Sequence, residues 1–471
     1  MTRVSNAMLL AASRVGGEVV PARAQMATTL GFHIILACLG IALPAIVLLA
    51  EFIGLRRQDE TAMRLAHHWS QAMGVLVAVG AVTGTVLSFE MGLLWPGLMR
   101  AYGAVLGFPF GVEGIFFFLE AIFAGIYLWG WRRLPGWVHW WSGVPVAVSG
   151  ILGAMSVIAV NAWMNTPGGF TQHDGRITSV DVWQVLFSRS AAYEMPHMIL
   201  AAYMVAGFTV AGVYAAGILR GRRDRYHYTG FALGFVPAAV LTPVQIFVGD
   251  TAARAIAHDQ PVKFAAMEYV VRTARQVPEW LGGVYLNGHI YGGLKIPDMD
   301  SLLVGFGPGT QVTGWDSVPP AQRPSAVWLI HLCFDLMVGL GFLLLLAGLW
   351  AAWEWWRRRR LPPQRAFWAA SAVSGVAAIV AMECGWVVTE VGRQPWVVYH
   401  LQTTAAAATT NGGVIASLTF VIAGYAVLGT ATIVVLRTLA RRWRRGDAAE
   451  VAMPYRQPRA LADKPASQPE S

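Results

Sequence analysis

Nine apolar runs divide this chain, near residues 26–53, 68–95, 109–131, 137–163, 193–219, 229–249, 324–353, 366–390 and 412–440. Each is long enough to cross a hydrocarbon layer of about 30 Å as a helix. None alternates apolar and polar positions, as a membrane strand of about 9–11 residues would. The pattern predicts an all-α polytopic membrane protein with nine transmembrane helices. Residues 1–25 carry only a short apolar stretch, at 7–12, broken by Ser13 and Arg14. They read as an N-terminal interfacial segment rather than a cleavable signal. Helices 1–6 then occupy 26–249, and a long polar loop 250–323. Helices 7–9 follow over 324–440, and a polar tail over 441–471 is expected to be disordered.

Composition agrees with this class. Hydrophobic residues make up 56% of the 471 positions and charged residues 13%, against about 25% charged in soluble domains. Basic residues are unevenly placed. The turns after runs 1, 3, 5 and 7, together with the C-terminal end, hold 22 of the 35 Lys and Arg. Cytoplasmic segments of membrane proteins are enriched in these residues. The expected topology therefore has the N-terminus outside and the C-terminus in the cytoplasm. The same asymmetry accounts for the net charge of +9 without a nucleic-acid partner. Cys38, Cys333 and Cys384 lie in apolar runs and form no CxxC pair, which argues against an iron–sulfur or zinc site and against a disulfide framework.

Ionisable side chains interrupt the runs at His33, Glu90, Glu113, Glu120, Glu194, His197, His331, Asp335, Glu354 and Glu383. Each is costly in a bilayer unless it meets a partner or a cofactor. By the expected topology, His33, Glu113, Glu194, His197, His331 and Glu383 all fall in the outer half. Imidazole, thioether and carboxylate are all haem-iron ligands, and His33, His197, His331, Met337 and Glu383 supply them. Glu113 and Glu120 are seven apart, on one helix face and about 10 Å apart along its axis, so that a proton could step between the two side chains with water in the gap. The residues alone fit a redox protein or a transporter. No internal repeat of the transporter kind is visible.

Longer strings narrow the choice. They read V-E-G-I-F-F-F-L-E at 112–120, A-V-N-A-W-M-N-T-P at 159–167 and K-F-A-A-M-E at 263–268. E-C-G-W stands at 383–386, followed by G-R-Q-P-W at 392–396. In this order, across nine spans, the chain resembles subunit I of the cytochrome bd quinol oxidases. The resemblance implies three haems: a low-spin haem b, a high-spin haem b, and haem d or a further haem b in its place. It makes His197 and Met337 the axial pair of the low-spin haem. His33 and Glu383 become ligands of the other two, without deciding which serves which, and His331 becomes a non-ligand. It places Glu113 and Glu120 on the path of protons from the cytoplasm. It makes the loop between spans 6 and 7 a short-form quinol-binding loop, with Lys263 and Glu268 as its polar pair, the carboxylate held by the cation. Arg393 is the candidate partner of a haem propionate, since a guanidinium forks onto a carboxylate. Asp335 stands where some members place Arg, two residues before Met337.

The activity implied is electrogenic oxidation of a ubiquinol or menaquinol at the outer face, with reduction of dioxygen to water. The setting implied is a bacterial cytoplasmic (inner) membrane. The partners implied are a second membrane subunit and, in some members, a small single-span subunit.

Overall fold

The computed structural model describes residues 2–445, with side chains from residue 18 onward. The polar tail beyond 445 lies outside the described residues. Among those described, nine helices are long and apolar enough to cross a membrane. They are span 1 (Thr2–Arg57), span 2 (Glu60–Leu94), span 3 (Pro96–Gly130), span 4 (Gly136–Asn165) and span 5 (Ala191–Leu219). Span 6 (Arg225–Asp259), span 7 (Val327–Arg358), span 8 (Arg365–Gly392) and span 9 (Val414–Arg445) complete the bundle.

Several helices outrun their apolar stretches. The segment before residue 26 is continuous with span 1, with no turn at the expected boundary. Span 3 starts at Pro96, where proline suits the first helical turn, which needs no N–H donors. Span 6 continues ten residues past the apolar run, to Asp259. At the Arg-rich end the turns are tight. Asp59 caps span 2 by accepting from the Thr61 and Ala62 amides, and Asp224 caps span 6 through the His227 amide. Such caps satisfy backbone donors that the helix itself leaves free.

Spans 5 and 6 pack closely, as do spans 1 and 2, spans 3 and 4, and spans 5 and 8. The main core lies among spans 1, 2, 5, 6 and 8, around residues such as Phe208, Phe231, Phe235 and Phe367. Spans 7 and 9 are apolar yet mostly uncovered. In a membrane protein such faces meet lipid or another subunit.

The long loop has local structure that hydropathy does not reveal. A short helix, Pro261–Glu268, follows span 6 directly. Two small antiparallel ladders follow, pairing Glu279–Leu281 with Leu294–Ile296 and Val284–Leu286 with His289–Tyr291. Asn287 and Gly288 both adopt positive φ at the tip of the inner hairpin, as a two-residue turn of this kind requires. A second short helix spans Met299–Gly305. Val262, Phe264, Tyr269, Val270, Val277 and Trp315 give the loop a small core of its own.

Candidate functional site

A cavity of about 1050 Å³ runs between spans 1, 2, 3, 4 and 8. It is lined by His33, Glu113, Glu120, Glu383, Glu390 and Arg393, among mainly apolar residues. Sites for one small molecule range from about 300 to 1,000 Å³, so this one has room for more than a single compact ligand.

His33 is oriented for ligation. Its Nδ1 lies 2.9 Å from Thr83 Oγ1. The Thr83 hydroxyl spends its own hydrogen on the Gly80 or Val79 carbonyl. The oxygen is therefore the acceptor, Nδ1 carries the proton, and Nε2 keeps its lone pair. Hydrogen bonds of this kind fix the tautomer of metal-binding histidines. Gly84 faces the ring, and a Cβ there would come within 3.1 Å of it.

Glu383 reaches toward Gly31, two residues before His33. Its Oε1 is buried without a hydrogen-bond partner. A buried carboxylate oxygen left unpaired is costly, and a cation or iron would satisfy it. One heptad further along the same helix face stands Glu390, which the sequence reading passed over. It accepts from Asn161 Nδ2 at 2.5 Å and from Arg393 Nη2 at 2.8 Å. Each of its oxygens keeps a free lone pair. Its spacing of three before Arg393 is that of a helical ion pair, and that signal was available in the sequence.

Arg393 is 2% exposed. It also donates through Nη1 to Asn165 Oδ1 at 3.1 Å, while its Nε is buried with no partner. The free donor at the cavity wall fits an anionic group such as a propionate. Asn165 joins the strings together. Its Nδ2 donates to Asn161 Oδ1 at 3.0 Å and to Glu194 Oε1 at 2.8 Å. Its Oδ1 and its carbonyl both receive the Gln260 amide. Two of the sequence strings, 159–167 and 392–396, thus meet at one point.

Lys263 belongs to this cluster. It is 3% exposed, its stem packs on Gly392, and its charge is felt by Glu194. Burial pushes its ammonium down to about 8, against the upward pull of Glu194. The expected pairing of Lys263 with Glu268 is therefore corrected. Five residues apart on one helix, their side chains diverge by about 140°. Glu268 is 4% exposed and faces Asp300, Glu279 and Asp335 instead. Burial first, then those three charges, raises its carboxyl well above the ordinary range. Asp300, fully buried, is pushed up to about 8 by burial and then by Glu279. Neither oxygen of Asp300 has a hydrogen-bond partner, nor does Glu268 Oε2.

His197 and Met337 lie on the other side of span 8's partners. His197 faces span 6, with Gln245 Nε2 at 3.2 Å from its Nε2 and Gly249 against the ring. The Met337 sulfur lies against Gly385 of span 8. Spans 5 and 7 both pack on span 6 and on span 8, so imidazole and thioether come from two walls of one four-helix group. The two glycines keep those walls open. His331 has no nitrogen to offer a metal. Its Nδ1 is 2.6 Å from the Met267 carbonyl and its Nε2 3.1 Å from that of Gly282. Its ring stacks on Tyr269 at 3.8 Å. Asp335 accepts from the Gly282 amide and approaches His331 Nε2 at 3.3 Å. It therefore anchors the loop onto span 7.

Comparison with known proteins gives the family. Residues 21–443 match the family "Cytochrome bd terminal oxidase subunit I". A putative cytochrome bd menaquinol oxidase subunit I of Bacillus subtilis is 33% identical over 427 residues, covering 89% of this chain and 96% of that protein. Subunit 1 of the cytochrome bd-II ubiquinol oxidase of Escherichia coli is 25% identical, covering 89% and 95%. The solved bd oxidase structure from Geobacillus thermodenitrificans superposes with a TM-score of 0.83 at 33% identity, covering 90% of this chain and 98% of that one. The chain belongs to the cytochrome bd terminal oxidase subunit I family, and it is a membrane subunit of a terminal respiratory quinol oxidase.

Proposed function

We propose that this chain carries all the haem of its oxidase: a low-spin haem b on His197 and Met337, and two further haems, one of them haem d or a third haem b, in the large cavity. The observation that carries this reading is the cavity wall itself. His33 Nε2 with its lone pair, the unpaired Glu383 oxygen and the unpaired Arg393 Nε all meet it. The bound haems supply electron-accepting irons and the place where dioxygen binds. His33 and Glu383 provide the ligands there, and Arg393 holds a propionate. Glu390 is a second candidate for the carboxylate ligand, because Asn161 and Arg393 hold it in one orientation, as outer partners hold a metal-binding carboxylate.

Glu268 is the general base of the loop and takes the proton of a ubiquinol or menaquinol hydroxyl, which it passes on to the carboxylates of Asp300, Glu279 and Asp335 around it. Lys263 acts on the cavity side, balancing Glu194 and Glu390. Glu113 and Glu120 hold protons bound for the oxygen site. The Arg-rich end faces the cytoplasm, so protons are released outside and consumed from inside, and the turnover builds a membrane potential. The protein sits in a bacterial inner membrane with a second membrane subunit, and with a small single-span subunit as a further partner.

The test is a reduced-minus-oxidised absorption spectrum of the complex, with variants. A far-red chlorin band beside b-type bands is expected, or b-type bands alone if haem b replaces haem d. His33→Ala should abolish oxygen reduction and keep the low-spin bands; full oxidase activity in that variant would overturn the ligand assignment. Glu383→Gln and Glu390→Gln separate the two carboxylates, since only loss of the true ligand removes a high-spin band. No haem bands in folded protein would sink the whole reading.

A further inference from the structure

The stripe formed by Glu113 and Glu120 does not stop there. Seven residues on, on the same face of span 3, stands Tyr127, 1% exposed. Its hydroxyl donates to Glu51 Oε2 of span 1 at 2.5 Å. Glu51 Oε1 meets His139 Nδ1 of span 4 at 2.7 Å, and His139 Nε2 lies 2.8 Å from the Tyr127 carbonyl. Glu51 and His139 are both fully buried. The proposed mechanism uses none of the three.

Donors and acceptors here can be counted. A carbonyl oxygen only accepts, so His139 Nε2 must carry a hydrogen. Its Nδ1 and Glu51 Oε1 would then set lone pair against lone pair unless one proton sits between them. That proton belongs to either atom, as imidazolium with carboxylate or as imidazole with carboxylic acid. The pair therefore holds one exchangeable proton in a dry site. Ionisable groups fixed inside a membrane commonly belong to proton relays.

The route to Glu120 is about 10 Å along the helix, and span 4 leaves room for it. Gly143 faces the Tyr127 ring, where a Cβ would lie 2.8 Å from it, and Gly150, one heptad on, faces Glu120 Oε1. Toward the Arg-rich end, the His139 ring lies 4.5 Å from Trp131. Trp131 in turn lies 4.9 Å from the half-buried His67 of span 2.

We propose that the Glu51–His139 pair and Tyr127 load protons at the Arg-rich end and pass them to Glu120 and Glu113. This inference rests on the oxidase reading above. In each step the Tyr127 hydroxyl turns away from Glu51 Oε2 and gives its proton through water toward Glu120, and the Glu51 carboxyl, carrying the proton it shares with His139, turns to restore the phenol hydroxyl. The Glu51–His139 pair is then reprotonated from the Arg-rich side.

The experiment mixes the fully reduced complex with dioxygen and follows proton uptake with a pH-indicator dye. Glu51→Gln should slow uptake about tenfold or more, while Glu51→Asp keeps it near wild type. Haem content and quinol-driven haem reduction should be unchanged in both. Unchanged uptake in folded, haem-loaded Glu51→Gln protein would overturn the proposal and leave the network as a tie between spans 1, 3 and 4. If that variant does not assemble, Tyr127→Phe decides, because it keeps the ring and removes only the hydroxyl. Slowed uptake with a larger solvent deuterium effect supports the path, and wild-type rates overturn it. Failure of the oxidase reading would look different: the wild-type complex itself would show no oxygen-driven uptake.

Discussion

The short helix Pro261–Glu268 separates two regions of opposite character. On one side Lys263 and Arg393 meet Glu194 and Glu390, two cations with two carboxylates, knitted together by Asn161 and Asn165. On the other side Glu268, Asp300, Glu279 and Asp335 gather, with His331 beside Asp335. Both regions are largely withdrawn from solvent, so water screens their charges poorly. The balanced side neutralises its own charges and leaves Arg393 Nε without a partner, which on the proposed reading holds a haem propionate. The acidic side cannot ionise fully and must keep protons, because neighbouring buried carboxylates raise one another. On the proposed reading, a single helix thus divides a cofactor clamp from a proton acceptor.

The hardest test of that division is Arg393→Ala. It would strand Glu390 and Asn165 in a buried site, and breaking a buried pair costs about 3–5 kcal/mol. A clear fall in the melting temperature of the complex is expected, with loss of haem absorbance from the large cavity. An unaltered spectrum and melting curve would remove the clamp. Glu268→Gln should act on the other side alone. Quinol-driven oxygen consumption should fall roughly tenfold to hundredfold, while consumption driven by an artificial donor that bypasses the loop persists. Equal loss with both donors would erase the distinction between the regions.

The smallest effect is a pH dependence of opposite sign on the two sides. Asp300 holds its proton up to about 8 in the folded loop, against 3.8 for the ordinary group. Between those values the folded loop binds more protons than the unfolded chain, so its stability falls as pH rises. Protection of the loop from protease should be greater at pH 5 than at pH 8, and Asp300→Asn should flatten the difference. Lys263 moves the other way, down to about 8 from 10.5. Its burial penalty is complete below pH 8 and lifts only as pH rises from there to 10.5. A loop equally protected at pH 5 and pH 8 in wild type would break this part of the comparison.

The nine spans were legible because bilayer thickness imposes a length of apolar sequence that little else requires. His33 was legible as an isolated polar group in such a run. The Lys263–Glu268 pairing was misread for a physical reason. Proximity along the chain suggested contact, but the intervening segment is helical and a spacing of five points the two side chains apart. Glu390 was overlooked because it sits near the end of an apolar run, where a charge is cheap. Only the fold shows it turned inward onto Asn161. Glu51 and His139 lie 88 residues apart, and no periodicity connects them.

By itself the sequence determined the class, the order of the spans and the basic bias of one end, and it offered most of the side chains proposed here to hold a haem. Those features follow from transfer free energies and local spacing, which act residue by residue. The tertiary structure decided which charges are neighbours: Lys263 with Glu194, Glu268 with Asp300, Glu51 with His139. Electrostatic energy in a dry interior depends on distance through space, and spans distant in sequence are brought to that distance only by packing.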